Sequence, residues 1–298
     1  MRLSCKGRTK CIVNTLVVCL IIFTLVYLKL SSTFYKFIYS FGIVTQTVEG
    51  PAASQHVLDT LKTYHLHPPS ARSYNIAHPI EYDPSQGQSR IVRDIFANKR
   101  DGTFVECGAV DGVFLSNSLY LERALNWRGL LIEADRTNFG HLRTKNRKAF
   151  SSNTCLSTSD QATVNLFNSV NQTSEQHWWV KGIGKLDDVG DGGLISKGTK
   201  TKVQCFPFYS FMLALDMNTV DYFSLDVEGA ELNILRTIPF DKIEIKVMSV
   251  EWLHDTQKES ELHEFLESKG YHEYHSKKMK MNQYEKIFIK NGVELNYL

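Results

Sequence analysis

The sequence predicts an α/β fold: a mostly parallel sheet flanked by helices and ending in a C-terminal antiparallel hairpin, preceded by an N-terminal transmembrane helix. Three observations carry this expectation. From residue 89 onward, short apolar runs alternate with helical periodicities, the order that builds a parallel sheet joined by crossovers. Two strand-like runs, Tyr271 to His275 and Tyr284 to Ile289, flank a basic turn near the end of the chain and read as a hairpin. Residues 11–28 form an apolar run long enough to cross a bilayer.

Composition frames the rest. With 298 residues, 43% hydrophobic and 22% charged, the chain has the makeup of a globular core rather than of disorder. A net charge of +2 supplies no electrostatic reason for a nucleic-acid partner. Six cysteines in a chain this long do not make a disulfide scaffold.

Cys11 to Leu28 is interrupted only by Asn14 and two threonines. Arg2, Lys6, Arg8 and Lys10 precede it, and only Lys29 and Lys36 follow closely. The positive-inside rule therefore makes residues 1–10 a cytosolic tail and everything after Leu28 lumenal or extracellular, a type II arrangement. Tyr27, Phe34 and Tyr35 fit an aromatic belt at the far interface. The run exceeds the hydrophobic region of a cleaved signal peptide and lacks a small-residue cleavage site directly after it, so it reads as an uncleaved signal anchor. Asn171-Gln172-Thr173 is a glycosylation sequon in keeping with that orientation. In an oxidising lumen Cys155 and Cys205 are able to pair; two separate buried thiols are the alternative.

Residues 29–88 read as a lumenal stem, with five of the seven prolines, no sustained periodicity and a short helix near Val57 to Tyr64. His56, His65, His67 and His78 fall there and read as solvated linker histidines rather than ligands, so no metal site is expected. The folded domain spans 89–298. It opens with a helix at Ser89 to Asn98, whose Ile91, Ile95 and Phe96 share a face. A strand at Thr103 to Cys107, a helix from Ser116 to Leu125, a strand to Glu133 and a helix at Asn138 to Lys145 follow. Ala149 to Leu156 and Ala162 to Phe167 read as strands. Asn168 to Lys202 is polar and glycine-rich, with Trp178 and Trp179 inside it, as in a lid, a contact surface or a local packing anchor. Next come a helix at Phe206 to Leu215, a strand at Val220 to Val227, a helix at Ala230 to Thr237, a strand at Ile245 to Glu251 and a helix at Glu261 to Lys269 stopped by Gly270.

The candidate site lies at the strand ends. Phe104 to Gly112 (FVECGAVDG) is a strand followed by a turn with glycines four apart and then a helix, the geometry in which a nucleotide-like ligand meets backbone N–H groups. Glycine at 108 and 112 lets a ligand approach the main chain. Glu133 ends the next strand at the spacing of a ribose-binding acid. Asp226 with Glu228, and Glu251, end two further strands. The Walker-type phosphate loop, HExxH and GxSxG are all missing from the sequence, which removes the common P-loop, zinc-protease and serine-hydrolase readings.

ECGAVDGVFLSNSLYLE, LLIEAD, NTCLS and DYFSLDVEGAELNIL followed by VMSVEW resemble the FkbM-type S-adenosylmethionine-dependent methyltransferases, from about Ser89 to the C-terminus. The resemblance implies a Rossmann-like seven-stranded methyltransferase sheet. It implies cofactor contacts from Glu106, Gly108, Ala109 and Gly112, ribose binding by Glu133, and Asp226 at the methionine end. Glu228 becomes the candidate for orienting or deprotonating an acceptor hydroxyl. The anchor together with SNSLYLE and VQCFPFYS is also similar to arthropod Star-like single-pass membrane proteins. That likeness implies a protein of the endoplasmic reticulum and Golgi, extending to endosome or plasma membrane, that assists vesicle-mediated trafficking of transmembrane epidermal growth factor receptor ligand precursors. The alternative is an active O-methyltransferase acting on a glycan, lipid or protein hydroxyl.

Overall fold

A computed structural model of the protein describes residues 46–169, 184–186, 199–252, 256–275 and 285–293. The expected anchor at 11–28, the sequon at Asn171 and the pair Trp178 and Trp179 lie outside the described residues. Among the described residues no helix is long and apolar enough to cross a membrane.

In chain order the elements are β1 (Gly50–Pro51), α1 (Gln55–Thr60) continued by a π-helical turn at Leu61–His65, α2 (Gln88–Ile95), β2 (Thr103–Cys107), α3 (Leu119–Leu125), β3 (Arg128–Ile132), α4 (Arg136–Thr144), β4 (Phe150–Ser152), β5 (Cys155–Leu156), β6 (Gln161–Ser169), β7 (Gly184–Leu186), β8 (Thr199–Phe206), α5 (Phe208–Leu215), β9 (Thr219–Leu225), α6 (Glu231–Thr237), β10 (Glu244–Glu251), α7 (Thr256–Ser268), β11 (Tyr271–Tyr274) and β12 (Glu285–Lys290). Seven strands form one sheet in the order β11-β12-β10-β9-β2-β3-β4. The five strands β10, β9, β2, β3 and β4 are parallel, and β12 runs antiparallel to both β10 and β11. This is the seven-stranded sheet with a terminal hairpin that the sequence led us to expect.

Both faces of the sheet are covered, which explains why its strands read as nearly continuous apolar runs. Ile91, Val92 and Ile95 of α2, Leu121 and Leu125 of α3, and Phe139 and Leu142 of α4 pack with Phe104, Leu131, Tyr222 and Val247 on one face. On the other, Phe208, Phe211 and Met212 of α5, Ile234 and Leu235 of α6, and Leu262 and Leu266 of α7 meet Val105, Cys107, Ile132, Phe223 and Leu225. Asp135 starts α4 by accepting the Asn138 N–H at 2.8 Å, and Asn126 in the left-handed region ends α3.

Four expectations change. The stem is not a tether from Thr47 on: Val48, Val57 and Leu61 are buried in the main core, β1 pairs with β6, and Thr47 to Leu298 forms one compact unit. The Gln204 side chain accepts the Val48 N–H at 2.8 Å and donates to the Val48 carbonyl at 2.9 Å, standing in for a strand partner. Two of the four linker histidines are packed: His65 lies edge-on to Phe206, and His67 lies against Phe139 with its backbone bridged to Ser151, whereas His56 and His78 are exposed. The run 149–156 is two strands in two different sheets, because β4 pairs with β3 whereas β5 pairs with β8. Finally, the helix after the glycine turn begins only at Leu119, since residues 108–118 form an irregular loop.

The second sheet runs β1-β6-β8-β5 with β7 beside β6. Cys155 and Cys205 are directly paired positions of β5 and β8 and are joined by a disulfide, which resolves the alternatives left open above. The bond closes a loop spanning a sequence separation of 50, worth about 4 kcal/mol in the chain-entropy account. Replacing both cysteines by alanine is expected to lower the free energy of unfolding by about that amount, measured by denaturant titration. An unchanged midpoint would show that the ladder alone holds the two strands.

Candidate active site at the carboxyl edge of the sheet

The direction of chain progression reverses between β2 and β9: β3 and β4 lie on one side, β9 and β10 on the other. Crevices at such reversals, beyond the carboxyl ends of the strands, are where open α/β sheets bind ligands. Here the loops after β2 and β9 touch. A Cβ on Gly108, whose φ is +86°, would lie 2.0 Å from the Asp226 carbonyl oxygen. Glycine is therefore demanded at 108 by the neighbouring loop as well as by the turn, not only by ligand approach as the sequence suggested. At Gly112, with φ +76°, a Cβ would come 3.1 Å from Leu142.

The loop after β2 is held by a buried ionic network. Glu106 accepts from the Asn117 N–H at 2.8 Å, from the Ser116 hydroxyl at 2.9 Å and from the Ser118 hydroxyl. Arg147 donates to Glu122 at 3.0 Å, to Ser118 at 3.0 Å and to the Gly112 carbonyl. The Arg147 and Glu122 side chains are only 2% and 1% exposed. Burial raises the Glu106 pKa, opposed by the Arg147 charge and these hydrogen bonds. Glu106 thus spends its carboxylate on the entry to α3, and it does not line the cavity described below.

Glu133, just past β3, takes hold of the same loop from the other side. One carboxylate oxygen accepts the Val110 N–H at 2.7 Å and the other the Asp135 N–H at 2.7 Å. Val110 has φ +47°, a costly conformation for a β-branched residue and one that persists only when its surroundings fix it. Between the loops is a cavity of about 50 Å³, widening to about 490 Å³ when the solvent space at its mouth is included. Gly108, Glu133, Asp226 and Glu228 border it on the sheet side, and Cys155, Phe167 and Leu186 on the side of the second sheet.

Beside this cavity, carboxyl groups crowd together. Glu251 is the Cα partner of Glu285 and follows Val250, which pairs with Leu225, so Asp226, Glu251 and Glu285 top three adjacent strands. Burial raises the pKa of both Asp226 and Glu251, and the Asp226 charge adds to the shift at Glu251. Burial pushes Glu133, Glu228 and Glu285 each up to about 8, and Asp226 adds to the shift in all three. Burial likewise pushes Glu231 up to about 7, although it accepts the Val227 and Gly229 N–H groups at 3.0 and 3.1 Å. Among the described residues no Lys or Arg forms an ion pair with Asp226, Glu228, Glu231, Glu251 or Glu285. Among the described residues, the buried acceptors Gln88 Oε1, Asn117 Oδ1 and Glu251 Oε2 have no hydrogen-bond partner. Gln88 donates its amide to Glu285, and Asn117 donates to Ser224 at 3.0 Å.

Of the residues expected from the sequence, Gly108, Glu133, Asp226 and Glu228 therefore converge on one cavity, whereas Glu106, Ala109 and Gly112 serve the loop's own packing. Ala109 is buried against the helices on the opposite face. Sequence reasoning overlooked Arg147, Glu122, Gln88 and Asn117. Gln88 and Arg147 lie outside the strand-end motifs, and Asn117 and Glu122 fall inside the run Glu106 to Glu122 with no local pattern that marks their roles.

Two outcomes follow from this electrostatic arrangement. Arg147→Met leaves the Glu122 carboxylate buried without its cation and is expected to cost about 3–5 kcal/mol of stability; an unfolding midpoint within error of the parent would contradict the network's role. The pH dependence has a definite sign. The crowded carboxyls keep protons up to about 8 in the folded chain, against an ordinary value of 4.5, so the unfolded chain holds fewer protons and stability falls as pH rises. His67, lowered to about 4 by burial and by Arg143, acts oppositely below its ordinary 6.5. The fall is therefore cleanest between pH 6.5 and 8, where the melting temperature of the ligand-free protein is expected to drop. A flat or rising profile there would refute the raised carboxyls.

Comparison with solved structures finds distant likenesses. A precorrin-6y C5,15-methyltransferase from Geobacter metallireducens GS-15 is 13% identical with a TM-score of 0.36, over 72% of this chain and 100% of that one. A methyltransferase from Pyrococcus furiosus is 14% identical with a TM-score of 0.36, over 73% and 89%. TrmK from M. capricolum, in complex with S-adenosyl-homocysteine, is 10% identical with a TM-score of 0.35, over 69% and 66%. No curated protein matches the chain. Residues 106–273, more than half of the 298, match the methyltransferase FkbM domain, and the chain belongs to that family.

Proposed function

We propose that the domain binds S-adenosylmethionine in the crevice between β2 and β9 and transfers its methyl group to an oxygen acceptor, a hydroxyl of a glycan, lipid or protein. The observation that carries this reading is Glu133, fixed by two backbone N–H groups at the edge of a cavity it shares with Gly108 and Asp226. The residues suit the cofactor chemically. Each Glu133 oxygen has further lone pairs for a ribose hydroxyl, and the Asp226 and Glu228 carboxyls that line the same cavity suit a ligand that carries positive charge and N–H groups. Ligand pockets for molecules of this size run to roughly 300–1,000 Å³, so the Phe167 and Leu186 wall has to open for the cofactor to be held along its length.

When bound, the cofactor supplies a sulfonium-linked methyl group that is open to in-line displacement. The protein contributes alignment and exclusion of water. Glu133 sets the ribose, Asp226 lines the methionine end, and Phe167 and Leu186 shield the crevice. Glu228 borders the same cavity and orients the acceptor hydroxyl. Its carboxyl, pushed up to about 8 by burial and then by Asp226 and Glu231, holds or releases a proton close to ambient pH, the range in which a general base is most effective.

A second reading is favoured by the small enclosed volume of the cavity. In it the chain is a Star-like type II membrane protein that keeps the fold without the chemistry and escorts transmembrane growth-factor precursors from the endoplasmic reticulum towards the Golgi or endosome. Both readings share a lumenal domain, in keeping with the Cys155–Cys205 disulfide, since such bonds persist in oxidising compartments. Calorimetric titration of S-adenosylmethionine into the protein, beside a Glu133→Ala control, separates the two. Micromolar binding that the control loses by about tenfold or more, as expected when a buried hydrogen-bonding carboxylate is removed, supports the enzyme. Absence of binding by a folded sample supports the escort and directs the search to precursor co-precipitation.

A further inference from the structure

Methyl transfer alone leaves one carboxyl unexplained. Glu251 ends β10 beside the candidate crevice, brings a carboxylate oxygen within 4.8 Å of Asp226, and has a buried oxygen, Oε2, with no hydrogen-bond partner. We propose that Asp226, Glu228 and Glu251 hold a hard divalent cation, Mg²⁺, Mn²⁺ or Ca²⁺, at the edge of the crevice. One carboxylate oxygen from each residue lies within 4.8 Å of the others. That span suits a first shell in which each oxygen sits roughly 2.0–2.6 Å from a central ion. The donor set is all oxygen, which selects hard cations over thiophilic ones. The nearby Cys107 thiol is buried with its pKa raised well above the ordinary value, by burial first and then by Glu133 and Asp226, so it does not offer a thiolate.

Charge balance points the same way. No cationic side chain among the described residues pairs with the three carboxylates. Two further buried oxygens without donors, Gln88 Oε1 and Asn117 Oδ1, belong to side chains that hydrogen-bond Glu285, the strand partner of Glu251. The inference rests on the methyltransferase reading and deepens it. One Glu228 oxygen would then hold the ion, to which the acceptor oxygen would bind, while its other oxygen takes the proton the hydroxyl loses on methylation.

The test uses the full chain in detergent micelles, stripped with EDTA, desalted and titrated calorimetrically with MnCl₂, MgCl₂ or CaCl₂ in the absence of cofactor. One site is expected, with a dissociation constant of about 10⁻⁴ M or tighter. Glu251→Gln and, as a second variant should the first fail to fold, Glu228→Gln are each expected to weaken it about tenfold or more. Glu244→Gln, at the opposite edge of the sheet, leaves it unchanged. No binding of any of the three metals by folded protein, or undiminished binding in both site variants, overturns the proposal. Cofactor titration in the presence of EDTA is read separately: cofactor binding without metal binding removes the ion site alone, whereas metal binding without cofactor binding keeps the site and removes its role in methyl transfer.

Discussion

A single buried guanidinium sets the geometry on which the site depends. Arg147, on the segment leading into β4, reaches Glu122 on α3, Ser118 at its start, and the Gly112 carbonyl in the loop between β2 and α3. Glu106 draws the same serine and its neighbours towards β2. Together they fix a loop that carries Val110 and Leu115 at positive φ, and Glu133 closes it from β3 by taking the Val110 N–H. Breaking such a pair costs far more than forming it contributes, because the surviving charge stays in low dielectric. The network is therefore better understood as fixing one loop conformation than as a source of net stability.

The opposite sign prevails a few ångströms away. Where β9 and β10 end and β12 begins, carboxyls gather with no paired Lys or Arg among the described residues, and their protons are retained well above the ordinary range. A fold selected for stability alone would place apolar groups or counter-ions there. Strain at Val110 and Glu228, both at positive φ, adjoins the same crevice, and such strain clusters at functional sites. A ligand bringing positive charge relieves both the repulsion and the unmet acceptors, which links the stability of the free protein to its binding chemistry.

Much of this was legible in the sequence. Alternating apolar runs and helical stripes fixed the sheet and its hairpin, because both faces of the sheet are buried and its strands show no polar alternation. Glu133, Asp226 and Glu228 were identifiable because strand ends are marked by the shift from apolar run to carboxylate. The stem was not legible: its burial rests on a few residues, Val48, Val57 and Leu61, and on the Gln204 amide imitating a strand, a contact across 156 residues. Nor were the reason for Gly108, which lies in the position of the Asp226 carbonyl, or the role of Glu106, which its motif assigned to a ligand and the fold assigns to α3. Contacts of this kind are set by topology, and a single chain's local pattern does not carry them.

The central claim is that Glu133 and the loop it holds form the floor of a nucleoside-binding crevice. A crystal structure of the protein grown with S-adenosylhomocysteine tests it most directly. The account predicts ribose density with its hydroxyls on the Glu133 carboxylate and the amino-acid end towards Asp226, with Phe167 and Leu186 displaced outward. Ordered Glu133 with both oxygens still held only by Val110 and Asp135, and ligand density absent or elsewhere, would contradict it.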